Sequence, residues 1–282
     1  MKKILVTGSS GYIGQHLCKL LKQKGTYKVY GLDTIVNKKN VDSFLHHSIS
    51  EIDYYGHEGI YEIDTHFDTV IHLAALVRVN ESVKFPANYY KTNLFGTINV
   101  LEQIYFDNFI FASTGAASNP SSPYGLSKLC AEDVVKSYCE KTNKPFTIFR
   151  FYNVIGSDGI APTNPDGLFY NLINAEKTGE FNLFGDDYNT PDGSPIRDYV
   201  HVMEICNALE TAIKKPAHGL ENLGHGHGFS VKEIVDIYKK VNDCDFKVNM
   251  LPRREGDLER TVLDKPSSYL KSMYTIEELL KK

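Results

Sequence analysis

Ile4-Leu5-Val6-Thr7-Gly8-Ser9-Ser10-Gly11-Tyr12-Ile13-Gly14 sets three glycines between a short apolar run and a helix-period stretch. That order predicts a strand, a tight turn and a helix whose first N–H groups face whatever the turn admits. Glycine at the turn lets the backbone come close to a pyrophosphate, and the helix dipole favours its charge. Gly8, Gly11, Tyr12, Ile13 and Gly14 are therefore candidate cofactor contacts. Asp33 closes the next apolar run, where a carboxylate can accept both hydroxyls of a ribose. It favours NAD over NADP, because a 2'-phosphate would meet a negative charge.

Outward from this loop, apolar runs alternate with helical periodicity. Residues 3–7, 28–32, 69–72, 109–112 and 146–151 read as strands that are apolar on both faces, as buried parallel strands are. Helical patterns cover 13–23, 87–105 and 124–141. The alternation predicts an α/β protein with a Rossmann-type, doubly wound parallel sheet. Beyond about residue 155 the chain turns to Gly, Pro, Asn and Asp, with helical stretches at 167–177, 202–214 and 230–241. Two domains are expected: an NAD-binding domain over 1–155 and a smaller α/β lobe over 156–282 that mainly binds substrate.

Composition excludes several classes. With 282 residues, 42% of them hydrophobic and 23% charged, the chain can bury a large core and is not a disordered polymer. A net charge of -4 argues against a broad nucleic-acid footprint. Its five cysteines are odd in number and lack metal-ligand spacing, so neither a zinc site nor a disulfide framework is expected. No segment approaches membrane-spanning length, which makes the cytoplasm the expected compartment.

The chemistry gathers around Phe109-Ile110-Phe111-Ala112-Ser113-Thr114, a strand ending in hydroxyls, and Ser122-Pro123-Tyr124-Gly125-Leu126-Ser127-Lys128. Ser122 and Pro123 supply an N-cap and a first helical position. Tyr124 and Lys128 then lie one turn apart on one face. Reactive groups of open parallel sheets lie outside the strand carboxyl ends, where Ser113 and Thr114 fall. Lowering a tyrosine pKa from ~10 to ~7 takes roughly 4 kcal/mol. A cation about 4 Å away at an effective dielectric of ~20 supplies about that much, so Lys128 with the nicotinamide charge is expected to make Tyr124 a base.

Taken with these motifs, the chain resembles the extended short-chain dehydrogenase/reductase family, and within it the sugar-nucleotide 4-epimerases of the UDP-glucose 4-epimerase type. The resemblance rests on His72-Leu73-Ala74-Ala75, on Asn80-Glu81-Ser82 with Tyr89, Tyr90 and Asn93, and on Arg150-Phe151-Tyr152-Asn153. It extends through the run from Phe184 to Gly193, through Arg197-Asp198-Tyr199-Val200-His201-Val202, and through residues 253–257. It implies NAD as cofactor, touched by Ser48, Ile49, Leu73, Ala74, Ala75, Asn93, Ser113, Tyr124, Lys128 and Phe151. It implies that Thr114 orients a sugar 4-hydroxyl whose proton Tyr124 takes, the 4-keto sugar then being reduced on its other face. Ser82, Asn153, Leu168, Phe184, Arg197, Tyr199, Arg254, Asp257 and Thr261 are implied to meet the UDP-sugar, guanidinium groups suiting a diphosphate. A homodimer built on the helices near 87–105 and 124–141 is implied as well.

Departures from the family narrow the reading. Gly115-Ala116 replaces the acidic pair or single Glu of related dehydratases and decarboxylases, so neither reaction is expected. The Thr114 to Tyr124 loop is short, although ten residues can span up to ~33 Å. Val77 stands for a lysine, Ser48 for an adenine-facing Asp, and a nucleotide-holding Asn falls near Gly167. Thr261 replaces a bulky aromatic, which leaves room for a 2-acetamido group. Two alternatives stay open: a 4-keto sugar-nucleotide reductase, and a non-catalytic protein that binds NAD and a UDP-sugar.

Overall fold

The structure is a computed structural model, and it describes residues 1–51, 65–254 and 257–281. In chain order the strands and helices begin with β1 Lys2–Thr7, α1 Tyr12–Lys24, β2 Tyr27–Asp33, β3 Ser43–His46, β4 Phe67–His72, α2 Val79–Lys84 and α3 Pro86–Tyr89. They continue with α4 Gly96–Gln103, β5 Phe106–Thr114, α5 Pro123–Lys141, β6 Phe146–Phe151, β7 Asn153–Ile155, α6 Leu168–Thr178, β8 Glu180–Phe184 and β9 Ile196–His201. The last are α7 Val202–Lys214, β10 Gly219–Leu223, β11 Gly228–Ser230, α8 Val231–Asn242, β12 Lys247–Leu251, β13 Arg260–Thr261 and α9 Ile276–Leu279.

The described chain divides into two compact units, Met1–Arg150 with Cys206–Glu221, and Phe151–Ile205 with Asn222–Lys282. The boundary expected at 155 thus falls between Arg150 and Phe151. More consequentially, residues 206–221 return to the first unit although the sequence places them in the second lobe. The stripe Cys206, Leu209, Ala212 and Ile213 is buried. Ala212 accepts a hydrogen bond from Asn108 at 3.3 Å, and Glu210 accepts one from Tyr27 at 2.7 Å. Periodicity reveals the helix but not the surface that covers it.

The first unit is a doubly wound sheet in the order β10-β6-β5-β4-β1-β2-β3. β1 pairs in parallel with β2 and with β4, and β4 with β5. The order therefore reverses beside β1, and the crevice at such a switch point is where nucleotides bind in open α/β sheets. Leu5, Val70, Phe109 and Phe111 are all fully buried in its core. β5 runs longer than its apolar stretch because Asn108, though polar, is bonded inside the unit to Thr69 and Ala212.

The single helix expected over 87–105 is interrupted. α3 starts on Pro86 at its N-terminus, a π-helical turn occupies Tyr90–Phe95, and α4 follows. The wide turn carries Asn93 inward, where it donates to the Leu76 carbonyl at 3.0 Å and accepts from the Leu76 N–H at 2.8 Å. Such π insertions are frequent at functional sites.

In the second unit β9 is central, parallel to β7 and β13 and antiparallel to β11, while β8 pairs with β12. A separate core of Phe169, Leu172, Leu183, Ile234 and Tyr238 supports it. Ser230 caps α8 in a reciprocal capping box with Glu233.

Candidate active site

Within the first unit the glycine loop is shaped by close approach. Gly8 has φ +71, and a Cβ there would stand 2.7 Å from the Ala74 nitrogen. A Cβ on Gly14 would collide with the Gly8 carbonyl oxygen. The loop is thus pressed onto Leu73 and Ala74, whose N–H groups bond the Thr7 carbonyl and hydroxyl at 3.2 Å each. Gly11 caps α1 without a side-chain bond, and the first turn carries no acid. The first N–H groups of a helix have no carbonyl partner within it, and they and the positive helix end suit a pyrophosphate. Asp33 accepts from Ser10 N–H through one oxygen and from Ile35 N–H through the other, both at 2.9 Å. Each oxygen keeps a lone pair for a ribose hydroxyl, so the residues present fit NAD. Tyr12 sets its ring edge-on to His16 at 5.0 Å, and the Ile13 carbonyl meets the Cys206 thiol.

Tyr124 and Lys128 occupy the first turns of α5, which Ser122 caps by accepting from the Gly125 N–H at 3.3 Å. The Thr114 side chain acts on the Tyr124 phenol, so the short loop still brings the two together. A Cβ on Gly125 would stand 2.8 Å from the Ala116 carbonyl, which shows how tightly that loop lies on the helix. Burial raises the phenol pKa, and the Thr114 side chain offsets this only in part. Burial also brings the Lys128 ammonium down to about 7, against the opposing pull of Glu132. Desolvation, which penalises phenolate and ammonium alike, thus opposes the shift of Tyr124 towards 7 that Lys128 and the nicotinamide charge are expected to bring. The Lys128 Nζ instead lies 4.0 Å from the centroid of the Phe111 ring.

Behind Phe111 lies His72, stacked on it with ring centroids 5.7 Å apart. Its Nδ1 is 2.7 Å from the Thr7 hydroxyl and its Nε2 is 3.1 Å from that of Thr97. Thr97 already donates to the Asn93 carbonyl at 2.6 Å. The proton therefore belongs on Nε2, and Nδ1 accepts from Thr7. Burial, aided by the Lys128 charge, lowers the His72 pKa to about 3.

Several residues expected to touch ligand spend their polar atoms on the protein. Asn93 is fully buried, and besides Leu76 it donates to the Ser127 hydroxyl at 3.0 Å. Ser82 is fully buried and donates to the Val79 carbonyl at 2.6 Å. Ser113 donates to Glu132 rather than facing outward. Ile49 buries its side chain in the core while its carbonyl accepts from Asn99, and Ser48 bonds Ser50 at 2.9 Å. Leu73, Ala74 and Ala75 are half-buried at the end of β4, and Phe151 is buried at the end of β6. In each buried polar case the reason is the same: an enclosed hydroxyl or amide must find a partner.

The second unit gathers a charged group. Arg197 approaches Asp257 at 4.0 Å, and Thr261 pairs with Arg197 across the β13/β9 register. Arg254 lies 3.9 Å over the Phe184 ring, and Arg253 lies 4.0 Å over Tyr188 while bonding Asp187 at 2.6 Å. Tyr199 is buried, and its hydroxyl has no hydrogen-bond partner among the described residues. Asn153 donates to the Asp198 carbonyl at 3.2 Å, and Leu168 opens α6 against the second core. Glu255 and Gly256 of the 253–257 run lie outside the described residues.

Three supporting groups were not foreseen. Glu132 is foreshadowed in the sequence only by its spacing of four beyond Lys128. The buried Asp198 carboxylate accepts from the N–H groups of His225 and Gly226, both at 2.8 Å, and of Leu263 at 3.2 Å. Glu204 accepts from His201 N–H, from Met273 N–H and from His225 Nε2 at 2.9 Å. Nothing in the sequence brings together residues so far apart along it.

Residues 4–224 match the profile of the NAD dependent epimerase/dehydratase family. A UDP-glucose 4-epimerase of Yersinia pestis is 33% identical, over 90% of this chain and 87% of its own. The fold matches a UDP-glucose 4-epimerase of Thermotoga maritima, solved with UDP-glucose, at a TM-score of 0.87 and 28% identity, covering 99% of this chain and 96% of that one. It also matches the UDP-Glc/GlcNAc 4-epimerase of Campylobacter jejuni at a TM-score of 0.78 and 30% identity, over 100% and 97% of the two chains.

Proposed function

From the premise that this chain belongs to the NAD dependent epimerase/dehydratase family, we propose that it inverts carbon 4 of a UDP-hexose, UDP-glucose or UDP-galactose, through a transient 4-keto sugar. The observation that carries this reading is the Tyr124 phenol within reach of the Thr114 side chain, with Lys128 buried one turn further on. Bound NAD supplies the reversible two-electron oxidation, held by the Gly8 to Gly14 loop and by Asp33. Thr114 orients the sugar 4-hydroxyl, and Tyr124 takes its proton and later returns it. Lys128 offers its ammonium to the phenolate as that charge develops. In the second unit Arg197 and Arg254 suit a diphosphate, and Asp257 suits ribose hydroxyls.

Gly115 and Ala116 supply no acid for dehydration, which supports epimerisation over that reaction. Asp33 disfavours a reductase fed by NADPH. Thr261, small and on β13, supports acceptance of N-acetylhexosamines, a substrate range that the Campylobacter jejuni relative shows for itself. Phe85, Phe95 and Leu126 are exposed apolar side chains around α3 and α5, which supports a homodimer through those helices; a monomeric mass in solution would sink that part. All five cysteines are free, in keeping with a cytoplasmic setting. No helix among the described residues is long and apolar enough to cross a membrane.

The deciding experiment incubates the protein with UDP-glucose, UDP-galactose and their N-acetyl forms, with no NAD added, and separates the epimers. Interconversion without net redox change is expected. Consumption of external NADH would favour the reductase, and inactivity on every UDP-hexose beside normal NAD binding would favour a binding protein.

A further inference from the structure

Along α5 the face that carries Tyr124 and Lys128 continues, at the same spacing of four, to Glu132. This carboxylate is buried, and an isolated buried charge is costly. Its compensation is specific: Arg150 grips it with two parallel bonds, Nε to Oε1 at 2.8 Å and Nη2 to Oε2 at 2.6 Å, and Ser113 donates to Oε1. Arg150 also reaches Ser118 at 3.1 Å, in the loop between Thr114 and Tyr124. One carboxylate thus ties together the end of β5, the end of β6 and the middle of α5. A fully paired ion of this kind is weak evidence for stability. Its position beside two reacting groups asks for another reason.

We propose that Glu132 is a positioning residue of the active site: its Arg150-bound carboxylate keeps Lys128 an ammonium, and its bond to Ser113 sets the adjoining Thr114 against Tyr124. This rests on the roles proposed above for Tyr124, Lys128 and Thr114.

The surroundings of Lys128 leave Glu132 as its countercharge. From β5 the neighbour is the uncharged Phe111 ring, and from β4, behind it, neutral His72. From α2 and α3, Glu81 is committed to Arg78 and to the Tyr89 hydroxyl, and Tyr89 meets the Tyr124 ring edge-on at 6.3 Å. In the π turn Lys91 is exposed and Tyr90 half-buried. From α4, Glu102 acts on Tyr138, near the far end of α5. Burial lowers the Lys128 pKa and the Glu132 charge opposes that fall, the balance standing at about 7. Arg150 compensates the Glu132 charge where it is buried.

The test compares Glu132→Gln with Arg150→Met in the NAD-bound protein. Two readouts are taken: the pH profile of kcat, and the titration of Lys128 followed by NMR of 13C-labelled lysine, assigned with Lys128→Met. Glu132→Gln removes the carboxylate charge and keeps the side-chain shape. It is expected to lower the Lys128 midpoint by about one pH unit or more, and to carry the alkaline limb of kcat down with it. Arg150→Met removes the guanidinium that compensates the buried carboxylate charge, and is expected to move the midpoint in the same direction. If both variants lose activity alike while the Lys128 midpoint stays in place, the bracket is merely structural and the proposal falls. Should Glu132→Gln not fold, Arg150→Met decides alone, since an unmoved or raised midpoint overturns the idea. Wild-type protein inactive on every UDP-hexose would defeat the functional reading, whereas the NMR titration would still decide the role of Glu132.

Discussion

His72 in the first unit is enclosed by Thr7, Thr97, Phe109 and Phe111, and burial pushes its pKa down to about 3. His225 in the second unit meets the buried Glu204 carboxylate at 2.9 Å, and that hydrogen bond pulls its pKa up. The contrast extends to the sites themselves. Around Tyr124 and Lys128 burial penalises a charge on either group, and Glu132 offsets that penalty for the ammonium. Around Arg197, Asp257, Arg253 and Asp187 opposite charges are paired near the surface. That arrangement can exchange its partners for those of an anionic ligand. Dry surroundings suit proton transfer, and paired charges suit binding.

The largest effect that would sharpen this contrast is on turnover. Tyr124→Phe is expected to reduce kcat by about 10³-fold while NAD content and UDP affinity stay near wild type; steady-state kinetics with cofactor quantification checks it. If UDP affinity fell as steeply as kcat, the division of labour between the units would break. Arg197→Met or Arg254→Met is expected to do the reverse. KM should rise by roughly ten- to a hundred-fold with a modest change in kcat, as loss of a charge-assisted bond worth about 1.5–3 kcal/mol requires.

The next effect is on stability. His72 is neutral in the fold and its pKa is depressed, so its contribution is complete above ~6.5 and is lost as pH falls towards about 3. The loss is about 1.4 kcal/mol per pH unit within that window, or about 2 kcal/mol by pH 5. Urea midpoints measured from pH 7 to 4 should show this slope in the wild type, and His72→Gln should flatten it. His225 has the opposite sign. Its raised pKa gives stability that is complete below ~6.5 and disappears as pH rises through the raised value. His225→Asn should remove that smaller alkaline decline, leaving the acid slope of His72 untouched. A wild-type midpoint indifferent to pH on both sides would erase the comparison.

Much of the first unit was legible because its signals are local. Glycines at 8, 11 and 14, apolar runs of strand length, and the Ser122-Pro123 cap each act within a few residues, and β6 and α7 begin and end close to where their patterns do. The long helix expected over 87–105 was misread because Asn93 is drawn to Leu76, a distant residue that rewards an extra residue in the turn. The fate of 206–221 was misread because an amphipathic stripe declares that it will be covered, not by what. Ser82 and Asn93, expected to touch ligand, have side chains that brace the protein instead of facing outward.

By itself, the sequence determined the doubly wound sheet and the tight glycine loop, since each depends on residue type at short spacing. Only the tertiary structure decided the protonation states and the bracing. Desolvation and paired charges are properties of enclosure, and enclosure of Lys128, Glu132 and His72 comes from strands and helices that the chain brings together across long separations.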